Sequence, residues 1–237
     1  MHPTVVRAQV LHRAHAQQEV QVRSAVAVAE VRQWAAVQWA VVALAEVRQQ
    51  AHAEDKSKKT HIMNIALGIS AGIAAYKTAE LVRLFIKNGH QVTCIMTANS
   101  QNFVTPLVLQ TLSQHKVYTE QFEQKNWSPD HISIADWADV FLVAPATANV
   151  LGKFANGIAD DLLSTTFLAF DKPVVLCPAM NDRMFTHPVV QRNIQSLQQL
   201  KNVHVMNPDI GSLACGSVGL GRLPELPKIV EYVENLK

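Results

Sequence analysis

The sequence is poor in features that mark several large classes of protein, and each absence argues against one of these classes. It contains three cysteines, Cys94, Cys177 and Cys215, in 237 residues, and no C-x-x-C pair. A zinc or iron–sulfur cage and a disulfide framework are therefore not expected, and no metal is predicted. This cysteine usage is typical of a reducing compartment, so we expect a cytoplasmic protein.

Charge is scarce as well. Charged residues make up 17% of the chain and the net charge is +2 at pH 7, which predicts no strong field for nucleic acid or for a membrane surface. No apolar run is long and uninterrupted enough to span a bilayer, and no secretory signal pattern is found at the N-terminus. Hydrophobic residues, at 49%, are abundant enough for one sizeable globular core.

Glycine does not occur before Gly68, and residues 1–62 differ in composition from the rest. The pentapeptide AEVRQ occurs twice there, starting at Ala29 and Ala45. This spacing places the two copies on nearly opposite faces of a helix, so they do not form one repeated surface. We expect a low-complexity N-terminal extension, helical or disordered and dispensable, with Met63 as the natural start of the protein. A mitochondrial-type presequence is the alternative.

Strand-like and helix-like segments alternate from Asn64 onward. The predicted strands are NIALGIS, QVTCIMT, DVFLVAP, PVVLCP and VHVMNP. One helix is expected over NSQNFVTPLVLQTLSQ, and the glycine-rich loop after the last strand is expected to lead into the helix PELPKIVEYVENLK. The alternation predicts an α/β fold over residues 63–237, a three-layer Rossmann-like or flavodoxin-like parallel sheet with helices on both faces. Ligands then bind at the edge formed by the loops that follow the strands.

Small and polar residues follow the predicted strands. GISAGIAAYK follows the first strand, and its small side chains would let a phosphate approach the next helix. The dinucleotide fingerprint G-x-G-x-x-G is absent, and the second strand ends in Thr97 instead of the acid that holds an NAD ribose. PATANV and PAMNDRMF follow the third and fourth strands, where Thr147 and Asn181 could also be helix N-caps. The pattern favours a phosphate-containing ligand other than NAD.

Two further residues are ambiguous taken singly. His131 alternates with Ile132 and Ile134 in a segment that we expect to be extended, and a lone histidine is usually a surface or structural residue.

Cys94 and Cys177 lie in apolar runs and are expected to be buried hydrophobic side chains. Cys215 lies instead in the glycine-rich stretch LACGSVGLGRLPE, and whether it is a nucleophile or a proton source stays open at this point.

The motifs GISAGIAAYK, HISIADWAD, PATANV, PAMNDRMF and ACGSVGLGRL are specific in combination. With this spacing the chain resembles the phosphopantothenoylcysteine decarboxylases, in the family of homo-oligomeric flavin-containing cysteine decarboxylases. The resemblance covers about residues 64–237 and none of residues 1–62. The chain departs from the family pattern at Thr147, Val150 and Phe185, where the family has serine, threonine and tryptophan. Val150 lacks the hydroxyl that threonine supplies at this position in the family.

The resemblance implies FMN as cofactor and a carboxy-lyase that converts 4′-phosphopantothenoylcysteine to 4′-phosphopantetheine in coenzyme A biosynthesis. The implied cofactor-binding residues are Ala71, Gly72, Ile73, Thr97, Asn99, Thr147, Ala148, Asn149 and Ala179. The implied substrate-binding residues are Met180, Asn181, Ser212, Leu213 and Ala214. His131 would be the catalytic histidine. Cys215 would be the acid that returns a proton, on a flap whose glycines let it open and close.

The resemblance also implies a small-molecule substrate and an assembly of trimers or multiples of trimers, up to a dodecamer, with FMN between subunits. No nucleic-acid or membrane partner is expected. Two alternatives stay open, namely an oxidative decarboxylase of another cysteine-containing substrate and a non-catalytic, flavin-binding regulatory subunit of the phosphatase-inhibitor kind. The joint presence of His131, Asn181 and Cys215 favours the enzyme.

Overall fold

The computed structural model describes residues 61–122, 129–212, 216 and 218–236. Its main element is a six-stranded sheet with the strand order β3-β2-β1-β4-β5-β6, and all neighbouring strands are parallel. The strands are β1 (Asn64–Ile69), β2 (Gln91–Met96), β3 (Val117–Tyr118), β4 (Val140–Ala146), β5 (Val174–Pro178) and β6 (Val203–Val205). This is the doubly wound order, in which the direction of winding reverses between β1 and β4. The fold class predicted from the sequence is confirmed.

Helices cover both faces of this sheet. They are α1 (Thr78–Lys87), α2 (Pro106–Ser113), α3 (Asp130–Trp137), α4 (Ala148–Ala155), α5 (Leu162–Ala169), α6 (Asp182–Phe185), α7 (Pro188–Gln198) and α8 (Leu226–Glu234). Short 3₁₀ helices precede α1 and follow β2, at Ile73–Lys77 and Ala98–Asn102. Helices α1, α2 and α8 contribute to the core on one face, and α3, α4, α5 and α7 to the core on the other.

The strands consist of uninterrupted runs of apolar residues because helices cover both faces of the sheet. In β1, Ile65, Leu67 and Ile69 belong to one core cluster and Ala66 to the other. In β4, Leu142 likewise belongs to the first cluster, whereas its neighbours in sequence belong to the second. Alternate side chains of a strand point to opposite faces, so a strand between two helical layers has no polar face.

The helix expected over NSQNFVTPLVLQTLSQ is divided in the structure. A 3₁₀ turn ends at Asn102, and α2 begins at Pro106 with Thr105 as its N-cap, whose hydroxyl accepts a hydrogen bond from Val108 N. Proline is favoured in the first turn of a helix because it has no N–H to bond there, and it disfavours helical backbone in the residue before it. The prediction of one helix was therefore wrong in this respect.

Two other expectations are also wrong. The segment that carries His131 is helical, since it forms the first turn of α3, and it is not extended. The segment before the last helix is not a plain loop, because β7 (Asp209–Ser212) and β8 (Val218–Arg222) form an antiparallel hairpin. Ser212 is the last residue of β7. The short edge strand β3 was not predicted, since two residues give no periodic signal.

Several predicted features lie outside the described residues. These are nearly all of the N-terminal extension and three residues of the expected flap, Leu213, Ala214 and Cys215. Within the part of the chain that the structure describes, none of the helices combines the length and the hydropathy needed to cross a bilayer.

Candidate active site

An open cleft of about 1070 Å³ lies at the carboxyl ends of the central strands. Ser70 follows β1, Thr97 follows β2, Thr147 follows β4 and Ala179 follows β5, and all four line the cleft. The cleft therefore spans the point between β1 and β4 where doubly wound sheets bind their ligands. Its volume is slightly above the usual range for ligand pockets, which is enough for a cofactor together with a substrate.

The structure brings the predicted cofactor-binding residues together around this cleft. The residues of that set that line it are Ala71, Gly72, Ile73, Thr97, Asn99, Thr147, Ala148, Asn149 and Ala179. Two predicted substrate-binding residues, Met180 and Asn181, line it as well. These residues come from four separate segments of the chain, and the carboxyl ends of neighbouring parallel strands place them side by side. Their contact with a ligand stays a prediction.

A serine of the motif GISAGIAAYK that was not among the predicted site residues connects two of these loops. The Ser70 side chain is buried, and its Oγ lies 2.7 Å from Pro145 O and 3.1 Å from Thr147 Oγ1. Thr147 N donates to the same Oγ at 3.0 Å. Ser70 thus joins the end of β1 to the turn after β4. Sequence reasoning missed it because a serine after a strand is common, and its partners lie 75 and 77 positions away.

Thr147 and Asn181 both occupy N-cap positions, but they use their side chains differently. The Thr147 side chain makes no hydrogen bond to the first turn of α4. Asn181 does cap α6, since its Oδ1 accepts from Arg183 N at 2.9 Å. This hydrogen bond fixes the orientation of the Asn181 amide, so that its NH₂ group is the donor end. The N-cap prediction is confirmed in position for both residues and in side-chain bonding for Asn181 alone.

An ion-pair cluster lies at one side of the cleft. Lys153 Nζ contacts Asp160 Oδ1 at 2.6 Å and Asp161 Oδ2 at 2.7 Å, and both Lys153 and Asp161 line the cleft. Burial alone would raise the pKa of Asp161, but hydrogen bonds from Lys153 and Ser164 outweigh it and hold that pKa below its usual value. The two carboxylates raise the pKa of Lys153 against the opposing effect of burial. The Lys153 charge is thus neutralised within the cleft wall.

Strand β8 packs closely against the Met180–Asp182 segment. Met180 N donates to Gly221 O at 2.9 Å. A Cβ added at Gly221 would lie 2.2 Å from Met180 O, and one added at Gly219 would lie 2.7 Å from Asp182 Cβ. These two glycines therefore allow the backbone segments to approach each other. Gly219 and Gly221 lie in the stretch that is expected to open and close, and the structure gives these two glycines a further role in close packing.

His131 lies on α3 and is half-buried, and it is not among the described residues that line the cleft.

The C-terminal end of α3 is held by side chains from two other segments. Lys172 Nζ donates to the carbonyl oxygens of Ala135, Asp136 and Ala138 at 3.1, 2.9 and 2.7 Å. Asn64 Nδ2 donates to Trp137 O at 3.0 Å. These bonds satisfy the carbonyl groups that a helix leaves unpaired at its C-terminus.

The departures from the family pattern lie at the edge of the cleft or under it. Val150 lines the cleft but is 2% exposed, so its side chain is mainly a core residue of α4. Phe185 is 8% exposed and belongs to the same core cluster. The Phe185 ring packs into this core, and unlike tryptophan it has no polar N–H to satisfy there.

The fold and the cleft define a class, namely an α/β protein that binds a phosphate-bearing cofactor or substrate at the switch point of a doubly wound sheet. The chain belongs to the Flavoprotein family, whose model matches residues 51–236.

Comparison with individual proteins agrees with this assignment. The chain is 51% identical, over 173 residues, to the coenzyme A biosynthesis bifunctional protein CoaBC of Bacillus subtilis (strain 168), a match that covers 73% of this chain and 42% of the relative. It thus spans less than half the length of the curated relatives it matches.

Two solved structures are similar over nearly their whole length. A PPC decarboxylase variant complexed with pantothenoylaminoethenethiol is 32% identical with a TM-score of 0.68, covering 73% of this chain and 97% of that one. The FMN-binding protein AtHal3 is 33% identical with a TM-score of 0.66, covering 73% and 95%.

Proposed function

We propose that this chain catalyses the FMN-dependent decarboxylation of 4′-phosphopantothenoylcysteine to 4′-phosphopantetheine, a step of coenzyme A biosynthesis. The observation that carries the proposal is the cleft at the β1/β4 switch point, around which four separate segments of the chain meet. The similarity to CoaBC proteins and to a solved PPC decarboxylase supports the substrate. The chain is then a lyase whose substrate is a small molecule.

The residues of the cleft fit FMN. Small side chains at Ala71, Gly72 and Ala148 leave room for a cofactor to approach the backbone, and Thr97 and Thr147 supply hydroxyl groups. FMN, when bound, supplies the redox chemistry that turns the cysteine side chain into an electron sink and later restores it. The chain itself must bind the substrate, orient its carboxylate and move protons.

Asn181 is the residue that we assign to the substrate carboxylate. Its amide is oriented by the bond from Arg183 N, so the NH₂ end is its donor. A neutral donor suits a group that loses its charge during the reaction, because a cation would stabilise the ground-state carboxylate more than the transition state. Met180 precedes it along the same wall of the cleft.

His131 and Cys215 are the proposed proton-transfer residues. His131 would accept a proton during oxidation, and Cys215 would return one at the end, because an ordinary thiol is protonated at neutral pH. Since His131 lies outside the described lining of the cleft, we propose that a second copy of the chain supplies it across an interface. A trimer, or a multiple of trimers, would then be the active form, and we propose that it acts in the cytoplasm.

The test is the mass of the product formed when 4′-phosphopantothenoylcysteine is added to FMN-loaded protein. Loss of carbon dioxide alone is expected, and it requires both the oxidation and the return of the electrons. Loss of carbon dioxide together with two hydrogens would indicate the oxidative alternative. No change of mass in folded, flavin-bound protein would refute the proposal and favour a binding role.

The variant Cys215→Ser separates the two halves of the reaction. It replaces the thiol by a hydroxyl of similar size that is a far weaker acid, so we expect the oxidised, decarboxylated product to accumulate. His131→Asn is the matched control, and it should form neither product. Full yield of the reduced product from Cys215→Ser would refute the role of Cys215.

A further inference from the structure

Ser70 lies where β1 and β4 diverge, and its hydroxyl contacts three atoms at the end of β4 and in the residue that follows it. The contacts are Pro145 O at 2.7 Å, Thr147 N at 3.0 Å and Thr147 Oγ1 at 3.1 Å. The Ser70 residue is 1% exposed, so water does not compete for these bonds. These contacts restrict the positions that the protons of the Ser70 and Thr147 hydroxyl groups can take.

The protons can be assigned from the chemistry of the partners. A hydroxyl carries one proton and can accept two hydrogen bonds. Pro145 O can only accept, and it makes the shortest contact, so the Ser70 proton lies on that bond. Thr147 N can only donate. The remaining contact joins the two hydroxyls, and because the Ser70 proton is already used, Thr147 donates its own proton to Ser70.

The Thr147 side chain has limited freedom to turn its hydroxyl elsewhere. Threonine has few favourable χ1 rotamers, and the hydroxyl contact with Ser70 selects among them. Its Cγ2 methyl group lies on the side of Gly72, where an added Cβ would be 3.6 Å away. The proton of Thr147 therefore points to Ser70, and its oxygen lone pairs are what the hydroxyl can offer to a ligand in the cleft.

We propose that Ser70 is a positioning residue that makes Thr147 an obligate hydrogen-bond acceptor in the flavin site. Thr147 then binds a donor group of the flavin, either a ribityl hydroxyl or the N3–H of the ring, and it does not bind the phosphate. A phosphate dianion has only acceptor oxygens, so it has no proton to offer the lone pairs of Thr147. The inference rests on the proposed function, since it requires a flavin in this cleft.

The experiment measures equilibrium affinity for FMN, riboflavin and lumiflavin, from the change in flavin fluorescence, with the full-length chain and its Thr147→Val variant. Valine has nearly the shape of threonine but no acceptor. We expect the affinities for FMN and riboflavin to fall by the same factor, roughly three- to tenfold, as for one hydrogen bond. A loss with FMN alone would place Thr147 at the phosphate, and no loss with either ligand would mean that it contacts neither; both results overturn the proposal.

Lumiflavin, which lacks the ribityl chain, separates the two donor sources. If the penalty of Thr147→Val persists with lumiflavin, the donor is N3–H, and if it disappears, the donor is a ribityl hydroxyl. Thr147→Ser retains the acceptor and should recover most of the affinity. Thr147→Ala serves as the test variant if the valine variant does not fold.

A double-mutant cycle tests whether Ser70 acts through Thr147. Ser70→Ala should weaken riboflavin binding in the parent chain but not in the Thr147→Val background, because the group that Ser70 orients is then gone. Additive effects of the two changes would overturn the positioning role. If the parent chain binds no flavin at all, the proposed function itself fails, which distinguishes that failure from the outcomes above.

Discussion

Gly221 leaves less room for a side chain than any other glycine that the structure describes, and its backbone has a φ of +149°. We expect Gly221→Ala to lower the free energy of unfolding by more than about 2 kcal/mol, because the new methyl group would collide with Met180 O. Urea denaturation measures this. Gly157→Ala is the matched control, since Gly157 also has a positive φ, +67°, but has nothing within 4 Å of an added Cβ. It should cost about 1 kcal/mol for backbone strain alone. Equal losses in the two variants would show that close packing of β8 is not what Gly221 provides.

Cys94 and Cys177 are both 0% exposed and belong to the core of one face of the sheet. Burial raises the pKa of Cys94 to about 12 and also raises that of Cys177. Because the thiolate is the reactive form, we expect both to resist alkylation in native protein at pH 8 and to react after unfolding. Peptide mass mapping after brief iodoacetamide treatment checks this. Modification of either residue at the rate seen in unfolded protein would contradict it.

Among the helices, α3 has its C-terminal carbonyl groups bonded by a lysine from another segment of the chain. Lys172 donates to three carbonyl groups of α3 and its C-cap. Lys172→Met keeps the length of the side chain but removes all three donors, so we expect a loss of about 1–3 kcal/mol in stability. The comparison is Lys201→Met, at an exposed lysine, which should change stability by less than about 0.5 kcal/mol. If Lys172→Met loses no more stability than Lys201→Met, the hydrogen bonds of Lys172 do not stabilise α3.

Long, strongly patterned elements could be predicted from the sequence, and short ones could not. The apolar runs of β1, β2, β4 and β5 are buried on both faces and bounded by turn residues, so they are visible without a partner. The α3 helix was misjudged because Ile132 and Ile134 alternate, although Ile132 is in fact exposed. In eight residues, helical and strand periods are hard to separate. The β7–β8 hairpin depends on contacts with the Met180–Asp182 segment, which no local pattern records.

The candidate site was predictable to the extent that it consists of loops after strands. Parallel strands bring Gly72, Thr97, Thr147 and Ala179 to one edge, so their convergence follows from the topology. The role of Ser70 was not predictable, because its hydrogen bonds are set by the register of β1 against β4. The distance of His131 from the cleft could not be read from the sequence either, since it depends on how α3 packs against α5.

At the scale of the whole molecule, stability should fall in acid. The pKa of Asp161 is held low in the folded protein, so this carboxylate stabilises the fold above its unfolded pKa, near pH 4, and that contribution is lost as pH falls through the lower folded value. We expect urea midpoints to decrease progressively as the pH falls below about 4. Asp161→Asn keeps an N-cap for α5 but cannot pair with Lys153, so its midpoint should be lower at pH 7 and less sensitive to acid. If the urea midpoint of this variant depends on pH as steeply as that of the parent protein, Asp161 does not contribute to the loss of stability in acid.

The last prediction concerns residues 1–62, which we propose to be dispensable for folding and for flavin binding. Met63 N donates to Nδ1 of the buried His90, whose Nε2 lies 3.0 Å from Glu234 Oε1 on α8. A chain that begins at Met63 would present an amino group at the same place, and an amino group can still donate to His90. We therefore expect residues 63–237 to unfold at the same temperature as the full chain and to bind FMN with the same affinity. A chain that begins at residue 70 is the negative control, because it lacks β1 from the centre of the sheet and should not fold. If the chain that begins at Met63 unfolds several degrees lower, or binds FMN more weakly, the extension contributes to the folded protein and the proposed domain boundary is wrong.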